Sequence, residues 1–207
     1  GVHRGMVCAD PGVFDCGDAV DVDLTLTPRS PKLNHRVPIR FHTGTVEVRG
    51  QLLLLDRDVA VSSEAFVARL ELDESVACHP TDRFLLRLQN PAITIGGGRI
   101  LRLEESGRYR RKDLGAELQG IVDAGDKPDA RVQHELEQSG PAGCAIDDLS
   151  RALSISDGKV IEMLESLTFA ETHTNAMRVF LREQVITGER ELLESVDRIL
   201  ARRPLAA

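Results

Sequence analysis

The stretch Val20-Asp21-Val22-Asp23-Leu24-Thr25-Leu26-Thr27 alternates apolar and polar residues without a break. A period of two puts every second side chain on one face of an extended strand, so the stretch reads as a half-buried strand. Runs of the same kind recur towards the C-terminus, at Arg36–Phe41, Thr45–Leu55, Ala65–Leu72, Arg83–Leu88 and Ile93–Leu103. Turn signals part them, among them His42-Thr43-Gly44, Asp56-Arg57-Asp58 and Gln89-Asn90-Pro91. Six short antiparallel strands with no helical pattern between them predict a closed barrel, which leaves no sticky edge. In the other direction, Asp10-Pro11-Gly12 and Gly17-Asp18 mark a terminal strand and a linker.

After Tyr109 the period changes. Leu114, Leu118, Ile121 and Val122 recur at helical spacing, as do Val132 and Leu136 beyond the loop Gly125-Asp126-Lys127-Pro128. Ile146, Leu149 and Leu153 follow, then Val160, Met163, Leu164 and Leu167 behind the capping residue Ser156. Two alternating runs, Thr168–Thr172 and Met177–Leu181, are joined by the turn Thr174-Asn175. Three helices and then a hairpin is the winged-helix order. A final amphipathic helix carries Leu192, Leu193, Val196, Ile199 and Leu200, with Arg198, Arg202 and Arg203 near its end, where they suit the helix dipole. The fold class expected is mixed and multi-domain: an antiparallel six-stranded β-barrel over residues 15–105, a helical linker over 106–130 and an α+β winged-helix domain over 131–207.

Charge narrows the function. Residues 1–110 carry 14 Lys and Arg against 15 Asp and Glu, while residues 111–207 carry 12 against 18, a net of −6. The second half repels phosphate, so any nucleic-acid face is local and lies in the first half. Aromatics are 3% of the chain, with no Trp and one Tyr, which removes the stacking platforms of single-strand binders. Cys8, Cys16, Cys78 and Cys144 lack zinc-ligand spacing and read as free thiols in a cytoplasmic protein. No apolar run is long enough to cross a membrane as a helix, and a monomer is expected. Phosphate loops, nucleophile elbows and H-E-x-x-H are absent, and no catalytic, cofactor-binding or metal residue is expected. Gly96-Gly97-Gly98-Arg99 runs on into a strand rather than a helix, so it reads as a bulge or barrel corner and not a phosphate cradle. The segment after Ser156, where a winged helix would read a DNA groove, offers Lys159 against Asp157, Glu162 and Glu165.

Arg4-Gly5-Met6-Val7-Cys8-Ala9-Asp10-Pro11-Gly12 resembles the R-G-x-V-L-A-x-P-G segment that ends the second domain of elongation factor Tu and its relatives. Asp82-Arg83-Phe84-Leu85-Leu86-Arg87, followed by Thr94-Ile95-Gly96-Gly97-Gly98-Arg99-Ile100, is similar to the closing strands of the third-domain barrel of those factors. A short barrel with His42-Thr43-Gly44-Thr45 that runs into winged-helix units, with Gly140-x-x-Gly143 before Asp148-Leu149, looks like the selenocysteine-specific elongation factor. The resemblance implies that residues 1–14 end a preceding barrel domain, and that the chain, which opens Gly1-Val2-His3-Arg4 without Met, is a fragment. It implies a GTPase that brings selenocysteinyl-tRNA to the ribosome, with GTP and Mg²⁺ held by a domain not in this sequence. By the same resemblance the selenoprotein mRNA hairpin is read by later winged helices that this sequence lacks. The barrel would contact tRNA, and the acidic winged helix would serve as a spacer arm. Two rivals stand beside this reading: a winged-helix nucleic-acid-binding regulator with a β-barrel sensing domain, and a metabolic GTPase, which would have no winged helix.

Arg36, Arg40 and Arg49 alternate with Val37, Ile39 and Val48 and so point out of the barrel, with His42-Thr43 at the turn between their strands. Arg87 precedes Gln89-Asn90 in the loop that, by resemblance, approaches the tRNA T-stem. The expected tRNA-facing surface is His42, Thr43, Arg49, Arg87, Gln89 and Asn90, contacting phosphates and 2′-hydroxyls without reading sequence. Its bland alternative is a set of solvated barrel residues.

Overall fold

A computed structural model describes residues 7, 16–125, 127–153, 155–167, 170–173 and 178–202. The opening Arg4–Gly12 motif, Val7 apart, and the Thr174-Asn175 turn lie outside the described residues. The first half forms β1 (Cys16–Leu26), β2 (Leu33–Asn34), β3 (Arg36–Thr43), β4 (Val46–Leu54), β5 (Val59–Ala60), β6 (Ala65–Ala77), β7 (Arg83–Leu88) and β8 (Thr94–Glu104). Six of these close into the expected antiparallel barrel in the order β1-β6-β4-β3-β7-β8, with β8 pairing back onto β1. The short β2 and β5 pair with each other outside it.

Period-two burial builds the barrel core. Val20, Val22, Leu24 and Leu26 of β1 face inward with Ile39 and Phe41 of β3, Leu52 and Leu54 of β4, and Leu86 of β7. The rings of Phe41 and Phe84 pack 5.8 Å apart at 31°. The glycine run of β8 is not itself the bulge: the register slips beside it, where Leu86 pairs with Gly96 but Arg87 with Thr94. Gly96, Gly97 and Gly98 stand in the ladder close against the backbone of the neighbouring strands. A Cβ would lie 2.6 Å from the Thr25 oxygen at Gly96 and 2.6 Å from the Phe84 oxygen at Gly97, and at Gly98 it would overlap the Asp23 carbonyl.

The second half forms α1 (Arg111–Ala124), α2 (Pro128–Ser139), a 3-10 turn (Gly140–Ala142), β9 (Cys144–Ala145), α3 (Ile146–Leu153), α4 (Asp157–Ser166), β10 (Ala170–His173), β11 (Arg178–Leu181) and α5 (Arg182–Arg202). From α2 to β11 this is a winged helix, its sheet ordered β10-β11-β9. Val132, Leu136, Ile146, Leu149, Val160, Leu164 and Val179 make its core. Ser156 occupies the N-cap position of α4 but makes no side-chain cap bond.

α1 packs on the barrel wall. Its Leu114, Leu118 and Ile121 cover the outward-facing Leu55, Val67 and Leu101. Under the same cover Asp21 is wholly buried and accepts from Arg69 Nε and Nη2 (2.7 and 2.8 Å) and Arg102 Nε (2.9 Å). Arg102 Nη1 reaches on to Glu117 Oε1 of α1 (2.5 Å), and Arg131 Nη2 of α2 donates to the Leu101 carbonyl (3.2 Å). Barrel and arm are thus joined by a small apolar cluster and a charged one. No helix among the described residues is long and apolar enough to cross a membrane.

Candidate nucleic-acid interface

The hairpin between β3 and β4 turns on Gly44, whose φ of +51° a non-glycine residue adopts at a cost. Its register places Arg40 directly opposite Arg49, and the pairing of β3 with β7 places Arg40 directly opposite Arg87. Three arginines therefore stand in one row across three neighbouring strands, on the outer face of the barrel. Directly opposed side chains on one face lie about 5 Å apart, so three cations in a row repel one another. Glu47 relieves part of this. Its Oε1 takes a hydrogen bond from Arg40 Nη1 at 2.7 Å, and its other oxygen lies 4.0 Å from His42 Nδ1. Arg87 Nη2 donates to the Ala92 carbonyl at 2.8 Å. Arg49 is exposed, and its side chain makes no hydrogen bond or ion pair among the described residues.

The expected surface residues divide. Arg49 and Arg87 share the row, joined through Arg40, which the expected set left out. His42 is half-buried beside Glu47. Asn90 is exposed at the loop tip. Gln89 is turned back, its Nε2 donating to the Ile39 carbonyl at 3.1 Å. Thr43 is buried, and its hydroxyl donates to the Arg83 carbonyl at 3.0 Å, which removes it from any contact surface. Arg40 was findable: with Thr43 opposite Val46, the two-residue turn alone sets Arg40 against Arg49.

Beside the row, β6 stays paired to β4 only as far as Leu72, opposite Gly50. Beyond that point a groove of about 700 Å³ opens, with Arg40 and Arg49 on one wall and Asp73 and Glu74 on the other. The acidic wall repels anions from the groove. Among the described residues no group of three His, Cys, Asp or Glu side chains could hold a metal, and burial pushes the Cys78 thiol up to about 12. The exposed side of α4 carries Lys159 with Asp157, Glu162 and Glu165, an unfavourable face for a DNA groove.

Residues 18–106 match the family model described as "Selenocysteine-specific elongation factor, beta-barrel domain". A curated selenocysteine-specific elongation factor from Desulfomicrobium baculatum is 32% identical over 115 residues, 55% of this chain and 18% of that protein. A crystal structure of a bacterial selenocysteine-specific elongation factor superposes with a TM-score of 0.61 at 12% identity, over 98% of this chain and 30% of that one. At that identity the last match speaks for the fold alone. The chain thus spans less than a third of either relative.

Proposed function

We propose, on the premise that the barrel of residues 18–106 belongs to the selenocysteine-specific elongation factor family, that this chain is a non-catalytic, tRNA-holding part of such a factor. The factor as a whole would be a GTPase that delivers selenocysteinyl-tRNA to the ribosome in the cytoplasm. GTP and Mg²⁺ would be held by its other parts, and the selenoprotein mRNA hairpin by winged helices other than this one. The observation that carries the reading is the row Arg49–Arg40–Arg87. A row of like charges costs stability unless an anion faces it, and a tRNA backbone supplies phosphates without demanding sequence readout. His42 and Asn90 flank the row and would add 2′-hydroxyl or phosphate contacts. The acidic winged helix would act as a spacer, its charge keeping it off the RNA that the barrel holds.

Restored to the full-length factor, Arg49→Glu with Arg87→Glu should weaken selenocysteinyl-tRNA binding. It should also flatten the dependence of log affinity on log salt by about two units, one for each lost phosphate contact. Unchanged affinity and slope in a folded double variant would place the tRNA elsewhere.

A further inference from the structure

Leaving β8, the chain crosses the outside of the barrel over β1, β6 and the end of β4 before α1 begins. Three anchors pin this strap. The Ser106 amide donates to Asp18 Oδ1 of β1 at 2.7 Å. The Tyr109 ring lies 4.5 Å from the Arg69 guanidinium carbon of β6, and its hydroxyl 3.5 Å from Glu71 Oε1. Arg111 donates from Nε to the Leu54 carbonyl (3.1 Å) and from Nη2 to the Arg57 carbonyl (2.7 Å). With Tyr109 and Arg111 held against the barrel, the residues between and beside them turn outward. Arg108, Arg110 and Lys112 are exposed, and no side chain of the three makes a hydrogen bond or ion pair among the described residues. Glu105 and Asp113 are the acidic residues at the two ends of the strap; the nearby Asp58 carboxylate is taken by Arg111 at 3.2 Å.

We propose that this strap is a second RNA contact, a clamp for the phosphate backbone of double-helical RNA at the junction of barrel and arm. The inference rests on the reading of the chain as part of an RNA-handling factor but uses residues separate from the arginine row. Three features choose the partner. The backbone that carries the cations is pinned, so no backbone entropy remains to be lost when they meet a regular array of charges. The strap's one aromatic ring is turned inward onto Arg69, which leaves no platform on which unpaired bases could stack. Its outer face of Ser106, Gly107, Arg108, Arg110 and Lys112 carries no apolar anchor of the sort a protein partner would bury. Phosphates and 2′-hydroxyls of a duplex fit what remains.

The test is anisotropy of a labelled, mixed-sequence RNA hairpin titrated with the 207-residue chain at several salt concentrations. Arg108→Glu/Arg110→Glu/Lys112→Glu should weaken binding about tenfold or more at low salt and reduce the salt slope by two to three units, on the order of one per cation. Arg108→Lys/Arg110→Lys should bind like the parent. The row variant Arg40→Glu/Arg49→Glu/Arg87→Glu should still bind the hairpin through the strap. Parental affinity and slope in the strap variant, or no hairpin binding by the parent, would overturn the clamp. Either result leaves the arginine row to its own assay with selenocysteinyl-tRNA. Displacement of the hairpin by polyglutamate as readily as by unlabelled RNA of equal charge would also overturn it, since the strap would then be an unselective polyanion site.

Discussion

Asp21 sits at an outward position of β1, yet it is wholly buried and holds two arginines at once. Removing it strands the buried Arg69 guanidinium under α1 and leaves Arg102 with Glu117 and Glu104 alone, and breaking a buried ion pair from one side costs about 3–5 kcal/mol. Asp21→Ala should therefore lower the urea midpoint by that equivalent, whereas Asp23→Ala, at a pair whose carboxylate is partly exposed, should cost far less. Nothing local announced this role. The alternation around Asp21 marks it as solvent-facing, and its partners lie 48 and 81 residues away. Glu135 of α2 supplies a pH test. Burial pushes its carboxyl above the ordinary range, against the opposing pull of His134 and Arg131. The folded chain then keeps that proton to higher pH than the unfolded chain does, so stability falls as pH rises from the ordinary carboxylate range through the raised value. Glu135→Gln should be the more stable protein at neutral pH, with the difference closing on acidification, as followed by urea midpoints across the pH range.

Among the elements, β8 tolerates little change. An alanine methyl at Gly98 would fall on the Asp23 carbonyl of β1, the strand that closes the barrel, and no flexible side chain is there to yield. Gly98→Ala should cost roughly 3 kcal/mol or prevent closure. Gly44→Ala meets open space and suffers only its positive φ, a cost of about 1 kcal/mol. Thermal melts of the two variants should separate them. The strands themselves were legible because period-two burial is a local signal: the runs of β3, β4, β6, β7 and β8 are all present in the sequence as alternation. Thr43 misleads because His42-Thr43-Gly44 reads as a turn, although Thr43 is in phase with the buried Ile39 and Phe41 and continues β3 inward. Leu55, Val67 and Leu101 break the alternation with apolar residues on the outer face, the trace of a covering helix. The partner of Arg40 on β7 was beyond reach, since that pairing spans 47 residues of chain and no turn fixes it.

At the scale of the molecule, two cores, one inside the barrel and one inside the winged helix, meet across α1 and α2. Helical spacing makes α1 to α4 readable in sequence, but not their docking, which depends on Arg102, Glu117 and Arg131 finding distant partners. The acidic second half predicts that Lys159→Ala leaves nucleic-acid binding by the chain unchanged and that a random duplex DNA pool shows no enriched sequence; enrichment would favour a groove-reading winged helix. Closure of the barrel has a further, mechanical consequence. β1 and β8 run antiparallel with Ala19 opposite Glu104, and the Ser106 amide is tied to Asp18, so the chain comes into the barrel and leaves it at one point. Tension between whatever precedes Cys16 and the arm at Arg111 runs through that tie. The six strands hang beside the line of pull, and a force strong enough to part the tie would unzip β1 from β8 rung by rung instead of shearing the whole ladder together.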